Sequence, residues 1–255
     1  MNSKNLLLCR GISAVAVVLV LLLTPAISYS QLEDYSIEHA AHIGGQTQCA
    51  VVQGNYAYLA QGDYLTILEI NGTEFRQIST LLLQGQGIDF AISGNYLYCY
   101  VNSDTCFQVI DVSDPLNPVI AANMTGLPTS KGFIVRAGLF LTGDYVYAAT
   151  GTEGLKIIDI SNPFNPLVVG SYKAITEFKD VAVSGNYAFV VDGNMERVHV
   201  IDVSVPSNPI KKTDTYVPRP EDIAVQGNYA YFAVSKPSFG LQILNITNPL
   251  NPTLA

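Results

Sequence analysis

Tryptophan is absent from this chain, histidine occurs three times, and charged residues fill only 13% of the 255 positions. Each shortage removes a class of function. With 13 basic side chains against 21 acidic ones, there is no basic face for nucleic acid or for an anionic membrane surface. No GxxxxGK[ST], HExxH or GxSxG segment occurs, no acidic loop has the EF-hand spacing, and no helical periodicity exists to carry a phosphate-binding turn. His39 and His42 stand three apart on an extended segment, which turns them to opposite faces and denies them a shared metal without a third ligand. Cysteine is scarce as well. Beyond Cys9 near the N-terminus there are Cys49, Cys99 and Cys106, an odd number that cannot all pair within one chain, so disulfides do not build the framework.

Apolar material is plentiful, at 49% of residues with fifteen Tyr, enough for a packed core. Residues 1–30 stand apart from it. Lys4 and Arg10 precede an apolar run from Ile12 to Leu23, and Ser28-Tyr29-Ser30 places small residues before Gln31, the pattern of a cleaved export signal. An uncleaved membrane anchor is the rival reading, and the run reaches the required length of about 20 residues only if it is extended to Tyr29. Cleavage after Ser30 would leave residues 31–255, secreted or at the cell surface, with no membrane insertion thereafter. That body keeps every acidic residue and loses two basic ones, which moves the formal charge from −8 to −10.

Two motifs recur along this body. The first is "VVQGNYAYLA" from Val51, repeated as "AISGNYLYCY" from Ala91, "FLTGDYVYAA" from Phe140, "AVSGNYAFVV" from Ala182 and "AVQGNYAYFA" from Ala224. Its glycines, Gly54, Gly94, Gly143, Gly185 and Gly227, step by 40, 49, 42 and 42 residues, the period of a small antiparallel sheet repeated as in propeller blades. Gly-Asn or Gly-Asp between two short apolar runs is a two-residue hairpin signal, joining strand A to strand B. After each hairpin two aromatic rings stand two apart, as at Tyr56 and Tyr58, and so share one face of strand B, while Ala57, Leu97, Val146, Ala188 and Ala230 face the other way. Large rings on one face and mostly small groups on the other suit sheets stacked face to face.

The second motif is "VIDVSDPLNPVI" from Val109, echoed by "IIDISNPFNPLV" from Ile157, "VIDVSVPSNPIK" from Val200 and "ILNITNPLNPTL" from Ile243. It reads as strand C, stopped where Pro and Asn-Pro forbid further ladder bonds. Asp111, Asp159 and Asp202 each precede a serine by two residues, and such a carboxylate accepts backbone N–H bonds in the following turn. Glu69 and Asn245 fill the same slot, and a slot that takes Asp, Glu and Asn is structural. A fourth run, such as "LVVGSYK" from Leu167, completes units one to four as strand D.

These segments resemble the LVIVD repeat family, above all in "QVIDVS", "KIIDIS" and "HVIDVS" with their trailing Asn-Pro turns and preceding hairpins. The resemblance runs over essentially all of residues 31–255. It implies a β-propeller of bacterial or archaeal surface and secreted proteins, usually without an assigned activity, and it supplies no catalytic residues to carry over. Unit one departs from it, since "TILEING" lacks the Pro pair, and unit five has "ILNIT" without the Asp.

The expected fold is therefore all-β, a propeller of about five four-stranded blades. Unit five stops three residues past Pro252, and "YSIEHAAHI" from Tyr35 is expected to close the ring by completing that last blade. Asp89, Asp180 and Asp222 each lie five residues before their glycine, around the expected mouth of the central channel. There they either bond the backbone of the connectors, hold a hard cation such as Ca²⁺, or serve a lyase or hydrolase. Cys99 and Cys106 flank one B–C turn and are candidates for a disulfide. The B–C and D–A connections open on one face, where Asp104, Glu153, Glu196, Arg197, Arg219, Glu221, Lys236 and Phe239 are the candidate contacts for an extracellular protein or glycan. The function this favours is an exported, non-enzymatic binding or scaffolding module, without a cofactor unless Ca²⁺ is held, and with the channel-mouth enzyme as its alternative.

Overall fold

The computed structural model describes residues 7–8, 18–19, 47–103, 107–125, 127, 137–173, 176–235 and 240–255. Every regular element among them is a strand. A two-residue pair, β1 (Leu7–Leu8) with β2 (Val18–Leu19), precedes five four-stranded antiparallel sheets. Sheet one comprises β3 (Ala50–Gln53), β4 (Tyr56–Gln61), β5 (Tyr64–Asn71) and β6 (Glu74–Leu82). Sheet two comprises β7 (Gln86–Ser93), β8 (Tyr96–Asn102), β9 (Phe107–Asp111) and β10 (Val119–Met124). Sheet three comprises β11 (Leu139–Thr142), β12 (Tyr145–Ala149), β13 (Leu155–Asp159) and β14 (Leu167–Tyr172). Sheet four comprises β15 (Phe178–Ser184), β16 (Tyr187–Asp192), β17 (Arg197–Asp202) and β18 (Ile210–Tyr216). Sheet five comprises β19 (Pro220–Gln226), β20 (Tyr229–Val234), β21 (Gly240–Asn245) and β22 (Thr253–Leu254). Each is a simple meander in sequence order, the A-B-C-D blade that the repeats predict.

The hairpin signal acts as its chemistry requires. Gly54, Gly94, Gly143, Gly185 and Gly227 all have φ between 56° and 60°, while the following Asn or Asp does not enter the positive region. A positive φ at the first central residue alone is the two-residue turn that matches strand twist, and glycine reaches it without a Cβ penalty. At the other end of the unit, Asp111, Asp159 and Asp202 accept the backbone N–H of Ser113, Ser161 and Ser204 at 2.9–3.0 Å. Asn245 does the same for Thr247 at 2.9 Å. Glu69, one carbon longer, turns instead to Arg76 at 2.7 Å. These turns deliver the Pro segment of one blade onto the fourth strand of the blade before it. Ser79 on β6 donates to the carbonyl of Pro115 at 2.6 Å, and a Cβ at Gly170 on β14 would collide with the carbonyl of Pro206.

Successive sheets stack on one another through four apolar layers. In each, the aromatic face of one blade meets the small, branched face of the next. Between sheets one and two, Tyr58, Ala60, Leu65 and Ile67 meet Leu97, Cys99, Val101 and Ile110. Between two and three, Tyr98, Tyr100, Phe107 and Val109 meet Val146, Ala148 and Ile158. Between three and four, Tyr147, Leu155 and Ile157 meet Ala188, Val190 and Ile201, and between four and five, Phe189, Val198 and Val200 meet Ala230, Phe232 and Leu244.

The fourth place of sheet five is taken by the chain's own β22, with Asn245 opposite Thr253 and Leu244 opposite Leu254. The Tyr35–Ile43 segment expected there lies outside the described residues, as does the expected signal apart from its two short strands. Among the described residues no helix is long and apolar enough to cross a membrane.

Candidate functional site

The inner strands carry the carboxylates that drew notice in the sequence, and a bulge aims each one. The register of β7 on β8 shifts between Gly87 and Asp89, that of β15 on β16 between Phe178 and Asp180, and that of β19 on β20 between Pro220 and Asp222. Asp89 accepts the N–H of Phe90 at 2.9 Å through Oδ1 and, across to sheet three, that of Leu139 at 2.5 Å through Oδ2. Asp180 repeats this with Val181 at 2.8 Å and, across to sheet five, Ile223 at 3.0 Å. Both oxygens of each buried carboxylate thus hold backbone donors, and each residue ties its blade to the next. In sheet three Gly138 stands at the equivalent position, five residues before Gly143, and a Cβ there would run into the Asp180 carboxylate. Among the described residues no three His, Cys, Asp or Glu side chains gather closely enough to hold a metal ion.

Cys99 is a free, buried thiol whose Sγ lies 3.8 Å from the Tyr100 carbonyl. Cys106, the candidate partner for a bridge, lies outside the described residues. Cys99 stands opposite Gln108, and its side chain belongs to the core between sheets one and two. Burial, with Cys49 and Asp89 nearby, pushes its pKa well above the usual thiol value, so it is inert as a nucleophile.

The outward connections form the more informative region. Of the eight candidate contacts, Asp104, Lys236 and Phe239 lie outside the described residues, and the other five are tied into charge pairs. Glu153 meets Lys173 at 3.3 Å, Glu196 meets Arg219 at 3.7 Å, and Glu221 meets Lys179 at 2.9 Å across sheets four and five. Arg197 pairs with Asp214, which also takes Lys211 at 2.6 Å. Glu196 and Arg219 are the two non-glycine residues with positive φ among those described, at 52° and 39°.

Beside these pairs lies a cleft of about 570 Å³, lined by Tyr172, Lys173, Thr176, Met195, Arg197, His199, Lys211 and Asp214. Its floor comes from a recurring slot on strand C. Thr66, Gln108, Lys156, His199 and Gln242 each sit two residues before a core Leu or Ile, on the same face. In sheet two this slot is satisfied, because Gln108 accepts the Gln84 N–H at 3.0 Å from the connector and donates to Asn123 at 2.9 Å. In sheet four it is left open. His199 Nε2 lies 3.1 Å from Asp192 Oδ2, and Asp192, fully buried, accepts the N–H groups of Asn194 and Met195 at 3.1 and 3.0 Å. A carboxylate accepts only, so Nε2 carries the proton and Nδ1 keeps a lone pair. That Nδ1 is buried and has no partner, and neither does the hydroxyl of Thr176, also on the cleft lining. Burial lowers the pKa of His199, against the pull of the Asp192 hydrogen bond and with a smaller contribution from Lys211, which favours the neutral ring. Sequence reasoning missed His199, Asp192, Thr176 and Lys211. The signal that was there is a histidine in an otherwise apolar strand, at a slot where the other units also carry a polar side chain.

Four-stranded meanders stacked through their inner strands define a β-propeller-type repeat protein. The chain belongs to the LVIVD repeat family, whose model matches residues 44–72, 84–125, 137–174, 177–215 and 220–255. No curated protein matches it in sequence. Solved structures share the fold at low identity. A computationally designed protein, Ika8, aligns with a TM-score of 0.59 at 12% identity over 77% of this chain and 57% of its own. A functionally unknown protein from Desulfotomaculum acetoxidans aligns at 0.63 and 12% identity over 84% of this chain and 70% of its own. A protein from Bacteroides uniformis, provisionally a 6-phosphogluconolactonase, aligns at 0.63 and 16% identity over 79% of this chain and 67% of its own. At these identities the likeness concerns the fold alone.

Proposed function

We propose that the protein is an exported, non-enzymatic binding module, and that the cleft on sheet four takes an acidic glycan. The observation that carries the reading is the pair of buried polar atoms without partners, His199 Nδ1 and Thr176 Oγ1, on the lining of a cleft that also bears Lys173, Arg197 and Lys211. An unsatisfied buried polar atom costs stability, and a ligand that bonds it removes that cost. A neutral imidazole nitrogen accepts from a hydroxyl, and ammonium and guanidinium groups attract a carboxylate. A sugar bearing an acid group offers both. Export is supported by the charge-then-apolar pattern of residues 1–30 and by membership of a repeat family implied for surface and secreted proteins. The rival reading, a lyase or hydrolase at the channel mouth, would need Asp89, Asp180 and Asp222 free for chemistry, whereas two of them hold backbone donors with both oxygens.

The test is calorimetric titration with a uronate-bearing oligosaccharide and with its neutral counterpart. The acidic sugar should bind and weaken with added salt, and the neutral one should not bind. Lys173→Glu, at an exposed position, should weaken binding by about tenfold, the effect of roughly 1.4 kcal/mol. Absence of heat with every acidic glycan would overturn the cleft reading.

A further inference from the structure

The aromatic face of each blade is covered by the small, branched face of the blade that follows, except in sheet five. Residues at one register position make the comparison direct. Leu65 pairs with Ala60, Phe107 with Tyr100, Leu155 with Ala149, Val198 with Val191 and Leu241 with Ala233. The first four strand-C residues are 0%, 0%, 0% and 1% exposed, whereas Leu241 is 65% exposed. Its surroundings agree. Tyr58, Tyr98, Tyr147 and Phe189 are buried, while their counterpart Tyr231 is only partly covered, Tyr229 is 42% exposed and Ala233 is open.

We propose that this face of sheet five is a docking surface for one further blade of LVIVD type, stacked in the same direction and presenting its small, branched face. The four filled layers within the chain identify the occupant. Every face of this composition is met there by a face built mostly of Ala, Val, Leu and Ile from strands B and C of another blade, with Cys99 and Phe232 as the other members, and rings against such groups is the pairing that interlocks. Two such aromatic faces set against each other would place rings on rings, so a symmetric pairing of two copies does not fit. Nor does head-to-tail docking on a second copy's sheet one, because Ala57, Leu59 and Leu68, the corresponding small face, are already buried.

The experiment supplies the blade. Thr253 and Leu254 occupy the places that Leu167 and Val168 hold in sheet three, so a copy of residues 170–216 appended after Ala255 continues the strand in register and adds a complete blade. Leu241→Cys is introduced in the extended and the original chain, and maleimide labelling at position 241 is followed by peptide mass spectrometry. The extended chain should label at least about tenfold more slowly. The protection should vanish when the appended copy carries Asp in place of the residues equivalent to Val190 and Ile201. Equal labelling of the two chains would overturn the proposal. So would slow labelling of the original chain that deepens with its concentration, because the face would then be covered by a second copy.

Discussion

Asp180 shows how one residue can look catalytic in a sequence and act as a joint in the fold. Its two oxygens accept Val181 N–H in its own sheet and Ile223 N–H in the next. Removing the carboxylate leaves two buried donors unsatisfied, each costing about 1–3 kcal/mol. Asp180→Ala should therefore lower unfolding free energy by about 3 kcal/mol in urea titrations, with no dependence on added Ca²⁺ or chelator. Gly138→Ala should cost about 2 kcal/mol by a different route, since its Cβ intrudes on the same carboxylate. His199 gives a pH signature. Its pKa is lowered by burial in the folded state, so between that value and the ordinary one near 6.5 the unfolded chain binds more protons. Stability is then fully present above about pH 6.5 and is lost as pH falls through the folded value. Urea midpoints of wild type and His199→Gln measured from pH 8 to pH 5 should converge at the acid end. Parallel curves would remove the histidine from the account.

Among the elements, the hairpin was the easiest to read from sequence and the cleft the hardest. Gly-Asn and Gly-Asp between apolar runs named all five A–B turns, because only glycine meets the positive φ without strain and the signal is wholly local. Gly143→Ala meets no atom within 4 Å, so its cost is the backbone conformation alone, about 1 kcal/mol, measurable as a shift of thermal midpoint. A cost as large as that of Gly138→Ala would contradict the turn assignment. The Asp-x-Ser turns were legible for the same local reason, and Asn245 in the fifth unit works as the fourth example. The Cys99–Cys106 candidate turns on a residue outside the described ones, and what register shows is Gln108 opposite Cys99, which proximity in sequence does not tell. The cleft depends on His199 Nδ1 and the Thr176 hydroxyl meeting no partner where Gln108 meets the Gln84 N–H, a tertiary difference that no local motif encodes.

At the scale of the whole molecule, the described residues form five blades in which apolar layers join each sheet to the next and supply the bulk of the cohesion, while Asp89 and Asp180 cross to backbone donors of the following sheet. Stability in such an array is a set of separate joints, and breaking one should not loosen another. Native-state hydrogen exchange at the amides of Leu139 and Ile223 reads two of them independently. In the wild type both should be among the slowest to exchange. Asp89→Ala should accelerate Leu139 by about 100-fold and leave Ile223 nearly unchanged, and Asp180→Ala should do the reverse. Both amides exchanging quickly in the wild type, or neither substitution altering its own amide, would contradict the assignment of these carboxylates as joints between blades.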